Sequence, residues 1–230
     1  MKKYTLITLI LLIVPFITYA QKEPTNTESE NYLTQGTIKV SKDSNYKGSH
    51  YANDNFVRGT VYKGQKPVAA NVGIRYNAYR DEMEIKENLN QPDISAKVML
   101  KSPDIYVRIA NEVFVYLPLD TTGMKSGYFQ VYFEGTKFEL YKKITKDFLE
   151  GFESANSYTR DVPAVYKQKE NFFLHVKDTG VFMELPSSKR KKLDAFGSLK
   201  KQVKNYTKDE DLNINREKDL IKAVEYADGL

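Results

Sequence analysis

The most regular alternation of hydrophobic and polar positions lies in residues 55–86. Its first part, 56–62, is rich in β-branched and aromatic residues and ends near Gly64, which can adopt the positive φ of a tight turn. Pro67 cannot donate a hydrogen bond to a ladder, so we expect the returning strand to begin near Val68. This pattern predicts a β-hairpin.

We expect a turn at residues 77–81 and a third strand after it, because apolar and charged residues alternate again over 82–86. If the apolar residues of neighbouring strands share one buried face, antiparallel pairing places Arg75 opposite Glu82 or Glu84. We therefore predict a cross-strand ion pair. An exposed pair of this kind adds little to stability, and we favour that interpretation over a functional site.

Further strand signals recur at short intervals, which is typical of an antiparallel meander. They cover residues 96–100, 105–109, 113–117, 128–133, 138–141, 172–176 and 181–185. Apolar residues alternate with tyrosine or polar residues in several of them, so we expect one packed face and one face that presents tyrosines. Residues 142–163 lose the alternation and predict a loop, with one helical turn over 144–149.

The hydrophobic period changes after Pro186. Apolar residues recur at helical spacing from Leu193 to Val203, and a second group near Leu220 marks a final helix. The sequence therefore predicts an α+β fold in which a mainly antiparallel β-sheet, meander or sandwich-like, covers 53–186. Two or three short helices over 187–230 are expected to pack on it.

Residues 1–20 have the pattern of a secretory signal peptide. A basic start precedes an apolar run over 6–17, and small residues at Thr18 and Ala20 suit cleavage after Ala20. The run is shorter than the roughly 20 residues of a membrane span, so no transmembrane span is expected after cleavage. The polar residues 21–52 are expected to form a flexible leader.

The sequence contains no cysteine, so neither a disulfide nor an acylated N-terminal cysteine can form. We predict an exported periplasmic or extracellular protein that is not a lipoprotein. Loss of Lys2 and Lys3 with the signal peptide lowers the formal net charge from +5 to +3. This small surplus argues against nucleic acid as a partner.

No residues with a recognisable catalytic or metal-binding spacing are present. The two histidines, His50 and His175, stand apart from other ligands, and we expect His175 to have a surface or cross-strand role. The acidic pairs at 82–84 and 209–211 are most simply solvated. We therefore predict no catalytic residue, cofactor or metal.

The densest charged feature is the run Lys189, Arg190, Lys191 and Lys192, which Lys200, Lys201 and Lys204 extend. On an amphipathic helix such a run is most simply a solvated face. The functional alternative is attraction to an anionic surface such as lipid headgroups or acidic polysaccharide. The candidate partner-binding residues are this run together with Arg75 and Tyr79.

Two resemblances accompany these patterns. The strands over 59–74 are similar to the opening of carboxypeptidase-regulatory-like β-sandwich modules, although 75–79 stands where that family continues with a turn rich in Gly and Thr. The segment RYNAYRDEMEIK and the ending AVEYADGL resemble a group of uncharacterised exported proteins of Bacteroidetes-type bacteria, over most of the mature chain. That resemblance implies no activity and no site residues.

These features favour a non-enzymatic, envelope-associated protein that binds a partner through a β-sheet face or cleft. The partner would be an envelope protein, an anionic polymer or a lipid surface. The alternative is a carboxylate-dependent hydrolase such as a glycosidase. That chemistry requires two carboxylates facing each other across a cleft, roughly 5 to 9 Å apart.

Overall fold

The computed structural model describes residues 33–38, 46–119, 124–153 and 160–230. This part of the chain forms a twelve-stranded, mainly antiparallel sheet followed by three α-helices, so the predicted α+β class is confirmed. The strands are β1 (Thr34–Thr37), β2 (Tyr46–Lys47), β3 (Val57–Lys63), β4 (Lys66–Asn77), β5 (Glu82–Lys86), β6 (Lys97–Met99), β7 (Ile105–Ile109), β8 (Glu112–Leu117), β9 (Gly127–Glu134), β10 (Phe138–Leu149), β11 (Ala164–Val176) and β12 (Val181–Glu184). The helices are α1 (Lys189–Asp194), α2 (Lys200–Asp209) and α3 (Glu217–Asp228).

The sheet has the order β1-β6-β5-β4-β3-β7-β8-β9-β10-β11-β12, and β2 adds in parallel to β11. From β7 to β12 each strand pairs with the next, as the regular spacing of the strand signals predicts. The sheet curls, so that the backbone N–H of Lys146 in β10 donates to the carbonyl of Ala78, the residue after β4. Ile144 of β10 consequently shares a core with Tyr76 of β4.

The prediction of a loop with a helical turn is wrong for residues 142–149, which are a continuation of strand β10. β10 continues to Leu149 and pairs residue by residue with β11. β9 pairs with β10 only as far as Lys142, and the rest of the hairpin forms an arm; within the described residues its backbone is joined only by the short β2 and by the carbonyl of Ala78. Apart from the buried Ile144, the side chains of the arm beyond Lys142 are at least partly exposed, and charged residues therefore replace the hydrophobic alternation that identifies a strand inside a sheet.

The described parts of 21–52 belong to the sheet and not to a flexible leader. β1 pairs with β6, and Leu33 and Ile38 on either side of it are buried. Tyr51 forms a bridge with Asn77 at the end of β4. The proposed signal peptide and cleavage site, and residues 21–32 and 39–45, lie outside the described residues.

Apolar side chains pack on both faces of the sheet, which corrects the expectation of one packed face. In β9, Tyr128 points into the inner core beside Tyr76, while Phe129 packs on the outer face beside Tyr141 and Phe173. The helices cover part of the sheet through a further cluster that includes Leu140, Leu174, Leu193, Val203, Leu220 and Val224. The predicted packing of the C-terminal helices on the sheet is thus observed.

Asp228, at the end of α3, binds the turn between β9 and β10. Its carboxylate accepts hydrogen bonds from the backbone N–H groups of Thr136, Lys137 and Phe138 at 2.9, 2.7 and 2.8 Å. Partial burial acts to raise the pKa of this carboxyl, but the hydrogen bonds outweigh burial and lower the pKa to about 2. The carboxylate thereby fastens the last helix to the sheet.

We expect Asp228→Asn to lower the free energy of unfolding by about 1–2 kcal/mol near pH 7, since charge-assisted hydrogen bonds are lost. A depressed pKa means that the carboxylate stabilises the fold above its ordinary value of 3.8 and that this stabilisation disappears as the pH falls toward 2. Urea unfolding at about pH 7 and about pH 3 should show the difference from wild type shrinking at the lower pH. Asp178→Asn in the exposed β11–β12 turn is the control, and an undiminished difference at low pH would contradict the electrostatic explanation.

Candidate functional site

Arg75 and Glu84 are paired across β4 and β5, so the predicted register is confirmed. The guanidinium Nη2 and Nε donate to Oε2 of Glu84 at 2.8 and 3.2 Å. The expectation of an exposed pair is wrong, because the two side chains are only 6% and 3% exposed. The rings of Tyr51 and Phe56 cover the guanidinium, with centroids 3.6 and 4.1 Å from its central carbon.

The remaining donors of Arg75 also have partners. Nη1 donates to the carbonyl of Asp54 at 3.0 Å and to the carboxylate of Asp93 at 3.3 Å. Lys86 Nζ binds the other oxygen of Asp93 at 2.9 Å. Arg75 therefore holds two loops over the outer face of the sheet and is almost completely covered.

Tyr79 lies in the β4–β5 turn, where 48% of its surface is exposed. Its ring makes an edge-to-face contact with Tyr166 at 5.2 Å, and Tyr166 also contacts Phe148 and Tyr46. Tyr79 thus belongs to an aromatic cluster near the far end of the arm, where Phe148 lies opposite Tyr166. A partner-binding role for it stays a prediction.

The basic run of the sequence contributes to a groove of about 790 Å³ between α1 and α2, which we call the helical groove. Five cations and one acid line it: Lys189, Arg190, Lys200, Lys204, Lys208 and Asp211. Lys200, Lys204 and Lys208 are spaced at four residues and form one stripe along α2. Leu193 and Leu212, both largely buried, supply its apolar lining.

Contacts at the edges of the helical groove fix its shape. Lys189 Nζ donates to the carbonyl of Leu212 at 3.2 Å, which ties the start of α1 to the turn after α2. Lys200 forms an ion pair with Asp194 at the end of α1. The two helices are therefore joined at both ends of the groove.

The four residues of the basic run have different surroundings. Lys189 and Arg190 line the helical groove, whereas Lys191 is exposed to solvent outside the groove. Lys192 is buried, its Nζ donating to the carbonyl of Ile214 and to Asn215 Oδ1 at 3.0 Å each, and burial lowers its pKa. Lys192 is thus a structural residue. Sequence reasoning missed Lys208, which the four-residue spacing from Lys200 could have identified.

A further cavity, of about 880 Å³, is lined mainly by the 48–57 loop and the β7–β8 turn. It contains two carboxylates, those of Asp54 and Glu112, and both residues are exposed. A glycosidase needs one acid whose pKa is raised by a shielded environment. Within the described residues this cavity does not provide two partly buried carboxylates, so it does not favour the hydrolase alternative.

His175 makes the expected cross-strand contact. It lies opposite Glu139, and Nδ1 is 2.8 Å from Oε2 of that residue. Glu139 also binds Lys177 Nζ and the hydroxyl of Tyr141. Burial acts to raise the pKa of Glu139, but hydrogen bonds from these three side chains lower it.

Within the described ranges, no helix is long and apolar enough to cross a membrane. No group of three or more His, Cys, Asp or Glu side chains in the same ranges could hold a metal ion. Comparison of the chain with protein-family models, curated proteins and solved structures found no match.

Proposed function

We propose that this protein is an exported, non-enzymatic binding protein of the cell envelope whose helical groove binds a segment of an acidic polysaccharide. The observation that supports this is the convergence of five cations and one acid on one concave surface. Export rests on the signal-peptide pattern of residues 1–20. The envelope is where an exported protein meets acidic polymers.

The balance of charge in the helical groove favours an anion. Asp211 and the nearby Asp194 offset at most two of the five cations, so a net positive charge remains. Neighbouring like charges repel one another, and an anionic ligand relieves that repulsion. A regular stripe such as Lys200, Lys204 and Lys208 suits a ligand with repeated charges.

The concave shape of the helical groove favours a polymer over a membrane surface as its ligand. A flat bilayer cannot enter a concave space between two helices, whereas a chain of sugar rings can lie along it. The basic side chains that line the helical groove offer hydrogen-bond donors to the carboxylates of such a chain. An acidic polysaccharide therefore fits better than a lipid surface.

We expect the triple variant Arg190→Gln/Lys204→Gln/Lys208→Gln to bind immobilised alginate roughly 10–100-fold more weakly than wild type in dilute salt, since each basic side chain near an anionic surface contributes up to about 1 kcal/mol. All three side chains are exposed, and the hydrogen bond between Lys189 and Leu212 that fixes the groove is kept, so the fold should be retained. Biolayer interferometry over a salt series measures the affinity. Binding of the wild-type protein should weaken steadily as salt increases.

The matched control is Lys63→Gln/Lys66→Gln/Lys167→Gln, which removes the same charge from exposed positions on the sheet and arm. We expect less than about a twofold change, because these lysines lie outside the groove. An equal loss in both triple variants would reduce the effect to net charge and overturn the proposal. Binding to anionic vesicles without binding to alginate would overturn it as well.

A further inference from the structure

A second concave surface lies on the outer face of the sheet, where β3, β7, β8 and β9 run side by side. This outer-face cleft has a volume of about 600 Å³, within the roughly 300–1,000 Å³ range of small-ligand sites. Tyr106, Val115 and Val131 form its half-buried apolar part. The cleft is separate in sequence and composition from the helical groove.

The ring of Tyr106 is held in a fixed orientation. Tyr62 in β3 lies directly opposite Tyr106 in β7, and the two rings are parallel within 4° with centroids 4.7 Å apart. The guanidinium carbon of Arg108 lies 5.6 Å from the centroid of Tyr62. Cross-strand stacking of this kind limits ring motion, so an aromatic surface exists before any ligand binds.

Three exposed polar side chains surround this apolar surface: those of Gln65, Arg108 and Glu134. In the part of the chain that the structure describes, no ion pair or side-chain hydrogen bond engages any of them. They offer an amide, a cation and a carboxylate, and their charges cancel. The cleft therefore combines hydrogen-bond donors and acceptors with no preference for a charged ligand.

We infer that the outer-face cleft binds a neutral oligosaccharide. A sugar ring has an apolar face of C–H groups that stacks on an aromatic ring, and its hydroxyls both donate and accept hydrogen bonds. Tyr106 supplies the stacking surface, and the three polar side chains supply partners for hydroxyls. A hydrocarbon chain would leave these polar groups without partners, and an acidic ligand would meet Glu134.

The test uses the mature chain with cellotetraose, chitotetraose and maltotetraose, measured separately by isothermal titration calorimetry. We expect at least one to bind, Tyr106→Ala to weaken that binding at least tenfold, and Arg108→Gln to weaken it by a smaller factor. The matched control is Tyr206→Ala, because Tyr206 and Tyr226 form another parallel pair, 4.0 Å apart, on the helices. That variant should bind as wild type does.

Three results would overturn this inference: no binding of any tetrasaccharide up to about 10 mM, an equal loss in Tyr206→Ala, or tighter binding of an acidic tetrasaccharide in the cleft. Thermal unfolding of each variant confirms that the fold is retained. The triple variant of the helical groove, Arg190→Gln/Lys204→Gln/Lys208→Gln, should bind neutral sugar normally. Failure of the acidic-polymer proposal and failure of this inference are therefore distinguishable.

Discussion

Replacing Arg75 by alanine should lower the free energy of unfolding by about 3–5 kcal/mol, because it leaves the buried carboxylate of Glu84 without its cation. The rings of Tyr51 and Phe56, which cover the guanidinium, would also lose their shared contact. Asn77 Nδ2, which donates to Glu84 at 3.3 Å, cannot replace a charged partner. Urea unfolding of both proteins measures the difference.

A double variant that removes both charges separates the loss of the ion pair from the cost of an unpaired charge. Glu84→Ala alone should cost a similar amount, and Arg75→Met/Glu84→Met should be far less destabilised than either single variant, since no buried charge is left unpaired. Arg58→Ala is the control, an exposed arginine in the neighbouring strand, with an expected change below about 0.5 kcal/mol. A loss below about 1 kcal/mol for Arg75→Ala would contradict the buried pair.

The contrast between register and burial at Arg75 shows what a single sequence can predict. The alternation in β4 and β5 is local, so it placed Arg75 opposite Glu82 or Glu84, and Glu84 is the observed partner. Tyr51 and Asp93, which cover or bind the guanidinium, come from segments without a regular pattern, and Phe56 directly precedes β3. The burial of Arg75 on the outer face therefore depends on tertiary contacts, which the hydrophobic periodicity of the strands does not predict.

In the basic run, too, the local pattern was predictable from the sequence but the tertiary surroundings of each residue were not. Its charge density was visible, and the presence of helices was predicted from hydrophobic spacing. Lys192 nevertheless became buried because the turn at Ile214 and Asn215 offers it two acceptors. The groove exists only because α1 and α2 pack side by side, which no pattern within either helix could predict.

Part of the lining of the outer-face cleft could be predicted from the sequence. Tyr106 and Arg108 alternate with buried Val107, as the predicted meander requires. The prediction that tyrosines face outward is thus met in β7, whereas Tyr128 of β9 is buried in the inner core. The pairing of Tyr62 with Tyr106 depends on β3 lying beside β7, a long-range neighbour that alternation does not specify.

Asp81→Ala should destabilise the protein by about 3 kcal/mol at neutral pH, because it removes the anion from a second, partly buried network. Asp81 Oδ1 accepts hydrogen bonds from Lys143 Nζ and the hydroxyl of Tyr76, both at 2.6 Å, and from the backbone N–H of Tyr128 at 3.1 Å. Gly127 leaves room for this arrangement, since a side chain there would collide with Asp81 and Lys143. Asp147→Ala, which breaks the exposed pair with Lys169, should cost below about 1 kcal/mol.

The pH dependence of Asp81→Ala identifies the buried cation as the cause. Burial lowers the pKa of Lys143, and Asp81 counteracts this effect in the wild-type protein. Without Asp81 the pKa of Lys143 falls further below the value of about 10.4 in the unfolded chain, so the unfolded state binds more protons and stability rises with pH in that interval. The deficit relative to wild type should therefore shrink between about pH 7 and about pH 10, and this pH dependence should vanish in Asp81→Ala/Lys143→Met. A deficit of the same size at both pH values would place the loss in the hydrogen bonds of Tyr76 and Tyr128 and not in an unpaired ammonium group.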